Sequence, residues 1–183
     1  VALLAKSQMN ITPTIGLQGG FYILAEKQES IYANRQLNVL YPEEYVTNLK
    51  SSMGRIMRVF PTYIENFEAI QKGVYEIVQA GGRVTAGTDS PFIPYGTSLH
   101  VEMQLFVDGG LTPFQALQSA TLHAAEAVGV AKDLGTVEAG KLADFVIVEG
   151  DPLKNIEDAW NVITTVKGGV RHEIEDLLTR PSL

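Results

Sequence analysis

Cysteine is absent from the 183 residues. That excludes a disulfide scaffold, an iron–sulfur centre, a thiolate zinc site and a cysteine nucleophile, and it leaves the redox compartment open. Basic residues are scarce: 14 Lys and Arg stand against 21 Asp and Glu, for a formal charge of −7. Phosphate recognition needs a basic face, and no Lys/Arg cluster occurs, so nucleic acid is excluded as a partner. No run approaches the ~20 apolar residues that span a bilayer, so no membrane partner is expected. Histidine occurs only as His100, His123 and His172. None belongs to an H-x-H, H-x-x-x-H or H-E-x-x-H pattern, so no local metal-binding pair exists. The glycine-rich spots lack the spacing of a phosphate loop, and no G-x-S-x-G elbow occurs.

What is present suffices for a core. Apolar residues make up 45% and charged residues 19% of the chain, with no compositional sign of disorder. Length alone suggests one domain or slightly more. Val1 to Gln8 reads as the last two turns of an amphipathic helix with no capping residue ahead of it. The expectation is a chain cut from a longer one, with any targeting signal outside it and localisation unread.

Asn10 to Ile15 is β-branched, but Pro13 cannot donate to a ladder, so a short strand or strand end is expected. Gly16 to Ser30, with Gly19-Gly20 and Phe21-Tyr22, reads as a long loop or irregular helix. Pro42-Glu43-Glu44 opens a helix expected to reach about Val59. Pro61 restarts the chain, and Phe67, Ile70, Val74, Ile77 and Val78 keep helical spacing up to Gly81-Gly82. Arg83 to Thr88 follows as a strand, giving the order of parallel β/α units. A helix from near Ser98 carries Leu99, Met103 and Phe106 on one face and stops at Gly109-Gly110. Thr112, Pro113 and Gln115 form a capping box for a helix that runs through Ala116, Ala120 and Ala125 to Gly129. Beyond a boundary near residue 133, Gly135-Thr136-Val137, Ala143 to Val148, Val162 to Val166 and the Gly168-Gly169 tip read as antiparallel β. Arg180 to Leu183 reads as a loose tail.

Asp89 stands at the C-terminal end of the second strand, where β/α barrels carry catalytic groups. An Asx turn ahead of Ser90-Pro91 explains the same residue without any chemistry. Local geometry leaves both readings open. The ordered segments Ala86-Gly87-Thr88-Asp89-Ser90, Ser98 to Met103, Gly110 to Leu117, Ala124 to Gly129, Leu134 to Val146 and Gly150-Asp151-Pro152-Leu153 resemble the C-terminal part of the metal-dependent amidohydrolase superfamily. The likeness is to its imidazolonepropionase-like and prolidase-like branch. It is specific from residue 83 to about 170 and looser over residues 1–82.

The resemblance implies an α/β fold: the C-terminal part of a (β/α)8 TIM barrel, about strands 7–8 with their helices, then a small antiparallel β region. Residues 1–133 would form the partial barrel, and residues 134–183 the C-terminal β-sandwich part with its tail. It implies that Asp89 matches the strand-8 aspartate that binds the metal and handles protons in hydrolysis of a C–N bond. Thr14 and Ser90 are the candidate substrate-binding residues. The family's H-x-H pair, strand-4 lysine or acid, and strand-5 and strand-6 histidines have no match here. The expectation is therefore a divalent metal, zinc, in the full-length protein, none bound by this chain alone, and an inactive isolated chain. Expected partners are a small-molecule substrate and either the missing N-terminal part or further copies of the chain. The alternative from another class is a non-enzymatic scaffold module of the same fold. A phosphate-binding barrel enzyme is disfavoured, because Asp89 stands in place of a glycine-rich strand-8 loop.

The remaining polar and aromatic residues carry structural expectations. His100 is read as a hydrogen-bonded histidine near the site rim and His123 as structural; Glu102 could reach the active-site side, with a solvated or capping acid as the default. Thr12 reads as an ordinary strand threonine or a pocket residue. Lys141 and Asp144 are read as turn and sheet-edge residues, and Trp160 as the anchor of the β region's core.

Overall fold

The computed structural model describes residues 1–17, 19, 35–48, 51, 61–90 and 94–179. The reading of Gly20 to Ser30, most of the helix expected up to Val59, and the tail from Arg180 lie outside the described residues. Among the described residues, no helix is long and apolar enough to cross a membrane.

Helix α1 (Ala2–Lys6) leads into strand β1 (Asn10–Ile11), which ends ahead of Pro13 as a missing amide donor requires. Helix α2 (Arg35–Leu40), which sequence spacing does not announce, is followed by a helical turn at 43–48. Pro61 opens helix α3 (Pro61–Gln79), whose Phe67, Val74 and Ile77 are buried, while Lys72 and Glu76 pair 3.8 Å apart on the outside. Strand β2 (Arg83–Val84) pairs with β1 in parallel, Asn10 opposite Arg83 and Ile11 opposite Val84. The expected parallel order holds, but the strand spans two residues rather than six. Beyond Val84 the chain bends away: Ala86 gives its N–H to the Ser119 carbonyl at 3.1 Å rather than to a neighbouring strand.

Helix α4 (Thr97–Asp108) buries Val101, Met103, Leu105 and Phe106 and forms the middle of the core with Ile15, Val84 and Leu111. Each such side chain contributes about 1.5–3 kcal/mol by leaving water. From α3, the Gln71 side-chain amide donates to the Leu105 carbonyl at 2.8 Å. Helix α5 (Pro113–Ala120) begins at the predicted capping box, with Gln115 N–H donating to Thr112 Oγ1 and Thr112 N–H donating to Gln115 Oε1. The single helix expected up to Gly129 is instead two, because α6 (Leu122–Ala127) starts afresh after a break at Thr121. There φ is −126° and ψ −88°, and the Thr121 hydroxyl donates to the Leu117 carbonyl at 2.7 Å. A threonine bonding its own preceding turn is a recognised cause of helix bending.

Residues 135–137, expected as strand, lie in turns and bends. The Lys141 ammonium gathers this segment by donating to the Ala131 carbonyl at 2.9 Å and to Thr136 Oγ1 at 2.5 Å. Strands β3 (Phe145–Val148), β4 (Val162–Lys167) and β5 (Val170–Glu173) form one antiparallel sheet in that order. Gly168 and Gly169 turn its hairpin with φ of 57° and 79°, the left-handed pair that a two-residue turn requires. Asp144 braces that turn from β3's entrance, accepting from Lys167 and from the Gly168 N–H. A 3₁₀-helix (Ile156–Trp160) crosses back and inserts Ile156 and Ala159 into the core around α4. Helix α7 (Ile174–Leu177) follows β5, and Arg35 of α2 pairs with its Glu175 at 2.5 Å.

Because both halves of the capping box are formed, Thr112→Ala should destabilise the chain by about 1 kcal/mol in urea unfolding. An unchanged midpoint would show that α5 is held by packing alone.

Candidate functional site

The parallel pair sets two loops side by side where β1 and β2 end. Thr12 and Thr85 share a hydroxyl–hydroxyl bond of 2.7 Å, and Thr85 N–H donates to the Ile11 carbonyl at 2.9 Å. Glycine is required at position 87 for space. A Cβ there would lie 2.4 Å from Thr12 Cγ2 and 2.6 Å from Thr14 Oγ1.

A carboxylate enters between these loops from α4. Glu102 is completely buried; its Oε1 accepts from Ile15 N–H at 3.1 Å and its Oε2 from Gly16 N–H at 2.5 Å. The Gly87 amide faces the same group and also favours its charged form. Loss of water pushes this carboxyl up to about 7, against the downward pull of the three amides. Glu102 is therefore not a solvated acid; the capping half of the expectation holds, because the Ile15 and Gly16 amides open the helical turn that includes residues 16, 17 and 19 and have no acceptor within it. One signal was available: Glu102 is the lone acid in the otherwise near-apolar stretch Leu99 to Val107, and lone acids in such stretches are paired when buried.

Asp89 lies beyond β2 with its side chain exposed and φ of 51°, and among the described residues its carboxylate has no hydrogen-bond or ion-pair partner. Thr14, half-buried on the adjacent loop, has φ of 50°. Each loop thus leaves its strand through a non-glycine residue in the left-handed region, an outlier for a β-branched threonine. The Ser90 hydroxyl bonds Thr88 Oγ1 at 3.3 Å and Ser98 Oγ at 3.2 Å, tying the second loop to the start of α4. Thr14 and Asp89 sit on neighbouring loops that meet through the Thr12–Thr85 bond and the close approach of Gly87 to Thr14.

The histidines are elsewhere. His100 stacks on Trp160 with ring centroids 4.7 Å apart, and burial holds its imidazole down to about 4. The hydrogen bond expected for it is not made at Nδ1, which is buried without a partner among the described residues. Trp160 consequently fastens the 3₁₀-helix to α4 rather than the interior of the β sheet. His123 Nδ1 lies 3.3 Å from the Val84 carbonyl, a structural contact as expected. His172 is exposed on β5. Lys141 and Asp144 hold turns, as described above.

Among the described residues no group of three His, Asp or Glu side chains is placed to hold a metal ion. At the strand-end loops the accessible donor is the Asp89 carboxylate, whereas a catalytic zinc takes three protein ligands. The described residues therefore do not fit a divalent ion by themselves, and no step is derived through one.

Parallel strands that end in polar loops, with helices packed behind them, define the β/α class of enzyme scaffold. Within that class the chain belongs to the amidohydrolase family, whose model matches residues 17–171. It is 34% identical over 117 residues to the imidazolonepropionase of Pseudomonas fluorescens (strain Pf0-1), covering 64% of this chain and 28% of that protein. Among solved structures, a Xaa-Pro dipeptidase with bound methionine in its active site matches with TM-score 0.63 and 27% identity, covering 93% of this chain and 36% of that one. Molinate hydrolase matches with TM-score 0.53 and 25% identity, covering 63% and 28%. These likenesses place the chain in the imidazolonepropionase and prolidase branch, with a TIM-barrel-type fold. The chain spans little more than a third, or less, of the length of these relatives.

His100 and Glu102 make opposite contributions to stability across the same pH range. Glu102 rises from 4.5 to about 7 on folding, so its burial favours the fold below pH 4.5 and loses that contribution as pH climbs to 7. His100 falls from 6.5 to about 4, so it favours the fold above pH 6.5 and loses that contribution as pH drops to 4. Between pH 4.5 and 6.5 the two slopes cancel. Relative to the native chain, Glu102→Gln should lose stability as pH is lowered across that window. His100→Phe, which keeps the ring stack, should gain it. Each change is up to about 3 kcal/mol in urea unfolding at stepped pH. Parallel profiles for all three proteins would contradict this assignment.

Proposed function

We propose that these 183 residues form part of a metal-dependent hydrolase that cleaves an amide-like C–N bond in a small substrate. Asp89 is its site carboxylate. The observation that carries the reading is a solvent-open carboxylate, without a partner among the described residues, on the loop leaving a parallel strand in a chain of the amidohydrolase family. In this reading residues 1–133 belong to the barrel and residues 134–183 to the attached β region. Residues outside these 183 supply the remaining barrel strands and the imidazole ligands.

In the protein that carries the other barrel strands, Asp89 would hold a divalent ion together with residues outside these 183, and the ion would supply an acidified water. The second role of Asp89 is to take a proton at a carboxylate oxygen and return it to the leaving nitrogen, as general base and then general acid. Thr14, on the neighbouring loop, lines the substrate side. Ser90 reaches the same rim while its hydroxyl braces Thr88 and Ser98. The imidazolonepropionase and Xaa-Pro dipeptidase relatives suggest two substrate types, a five-membered cyclic amide and a prolyl dipeptide.

Several apolar side chains stand open, Leu3 at 84%, Val137 at 82% and Val128 at 73% exposure, as expected where further barrel or a second copy packs. Alone at micromolar concentration the chain should sediment as more than a monomer; a single monomeric species would oppose this part of the reading. In the protein that also carries the other barrel strands, Asp89→Asn should lower kcat for C–N hydrolysis by at least about 100-fold, with KM little changed. Retention of full activity in that variant would remove Asp89 from the chemistry.

A further inference from the structure

We propose, resting on the role given to Asp89 above, that Ser98 is its positioning residue: the buried Ser98 hydroxyl, acting through Ser90 and Thr88, ties the loop that leaves β2 to the first turn of α4.

Asp89 does not fix its own place. Its carboxylate has no partner among the described residues, and its backbone stands at φ of 51°. Among those residues no backbone–backbone hydrogen bond reaches 87–89 either; the last one on this side of β2 joins Ala86 to Ser119. The tie runs through hydroxyls instead. Thr88 and Ser90 flank Asp89 in the chain, and the Ser90 hydroxyl donates to Thr88 Oγ1 at 3.3 Å, closing a short ring around it. Ser98 Oγ lies 3.2 Å from Ser90 Oγ and carries that ring onto α4. Ser98 is only 1% exposed, so its hydroxyl is shut off from bulk water and takes the loop as its partner.

The usual local choice for a helical Ser or Thr is its own preceding turn. Thr97, Ser119 and Thr121 make that choice here, donating to the carbonyls of Pro94, Ala116 and Leu117. Ser98 instead reaches outside its helix, to a residue eight positions back. Four residues on, along the same face of α4, Glu102 takes the Ile15 and Gly16 amides of the loop that carries Thr14. Consecutive turns of one core helix therefore hold the two loops, each by its own contact, and groups referenced to a rigid element keep their geometry.

Removing one hydroxyl tests this. In the 183-residue chain, Ser98→Ala should abolish the strong intraresidue HN–Hα NOE that positive φ gives Asp89, while the Phe106 amide stays protected from exchange. Ser90→Ala breaks the same link from the loop side and should have the same effect, which keeps the test decisive if Ser98→Ala does not fold. Thr97→Val removes the neighbouring hydroxyl, which bonds its own turn, and should leave the Asp89 signal intact. An Asp89 signal retained in either folded alanine variant, or lost also in Thr97→Val, would reduce Ser98 to a buried helix serine. In the protein that carries the other barrel strands, Ser98→Ala should lower kcat by about 10-fold or more with KM little changed. Added to Asp89→Asn it should cost nothing further, because it acts through that carboxylate. Unchanged kcat, or losses that multiply, would overturn the inference. Full activity in Asp89→Asn would sink the hydrolase reading instead and leave the NMR result on the loop standing.

Discussion

A fully buried carboxylate and the two amides of Ile15 and Gly16 tie the first strand-end loop of this protein to α4, and each makes the other's burial affordable. Glu102 taken from water without partners would cost several kcal/mol and would shed its charge. The buried amides of Ile15 and Gly16 would each cost about 1–3 kcal/mol if left without an acceptor. Brought together, carboxyl and amides offset part of both penalties, and the rest shows as the carboxyl's rise to about 7. Dispersion and apolar burial hold α4 against the strands. The carboxylate decides where the loop beyond β1 lies.

The magnitudes explain why Thr14 stays in its strained conformation. A β-branched residue at positive φ costs about 1–2 kcal/mol, and an aspartate somewhat less because its short polar side chain tolerates that region. The two hydrogen bonds from Ile15 and Gly16 to Glu102 contribute about 0.5–1.5 kcal/mol each in net terms, which is of the same order as the left-handed cost at Thr14. Space works in the same direction. At position 87 any side chain would collide with Thr12 and Thr14, so the loops can approach closely only through glycine.

Features with a local chemical cause could be read from the sequence. The capping box at Thr112, the hairpin tip at Gly168-Gly169 and the apolar spacing of Phe67, Val74 and Ile77 each act within a few residues. Features set by distant partners could not. Strand β2 stops at Val84 because Ala86 finds the Ser119 carbonyl, and Thr121 breaks a helix that alanine-rich spacing favours. Trp160 is an aromatic of the β region by sequence position, yet its ring lies on His100 of α4. Asp89 is instructive because local spacing fits an Asx turn equally well. Family resemblance singled it out, and its open carboxylate agrees with that choice without testing its chemistry. Glu102 shows the reverse: a capping role was one of the readings the sequence allowed, and only the fold shows that its burial is complete and that it caps the turn at Ile15 and Gly16.

Helix α4 explains why these features meet. At about 100° per residue, His100 and Glu102 point some 200° apart around the helix axis. One side therefore meets the 3₁₀-helix through Trp160, while the other meets the first strand-end loop through Ile15 and Gly16. A helix covered on both sides cannot carry an ordinary charged face, and α4 has few charges to present. The ionisable groups it does bury are perturbed in opposite senses by the same loss of water: the imidazole resists gaining a proton, the carboxyl resists losing one. The attachment of the β region and the placement of the candidate site thus rest on a single helix. Disturbing its packing from the Trp160 side would tilt the frame that holds Asp89, even though neither aromatic ring touches that carboxylate.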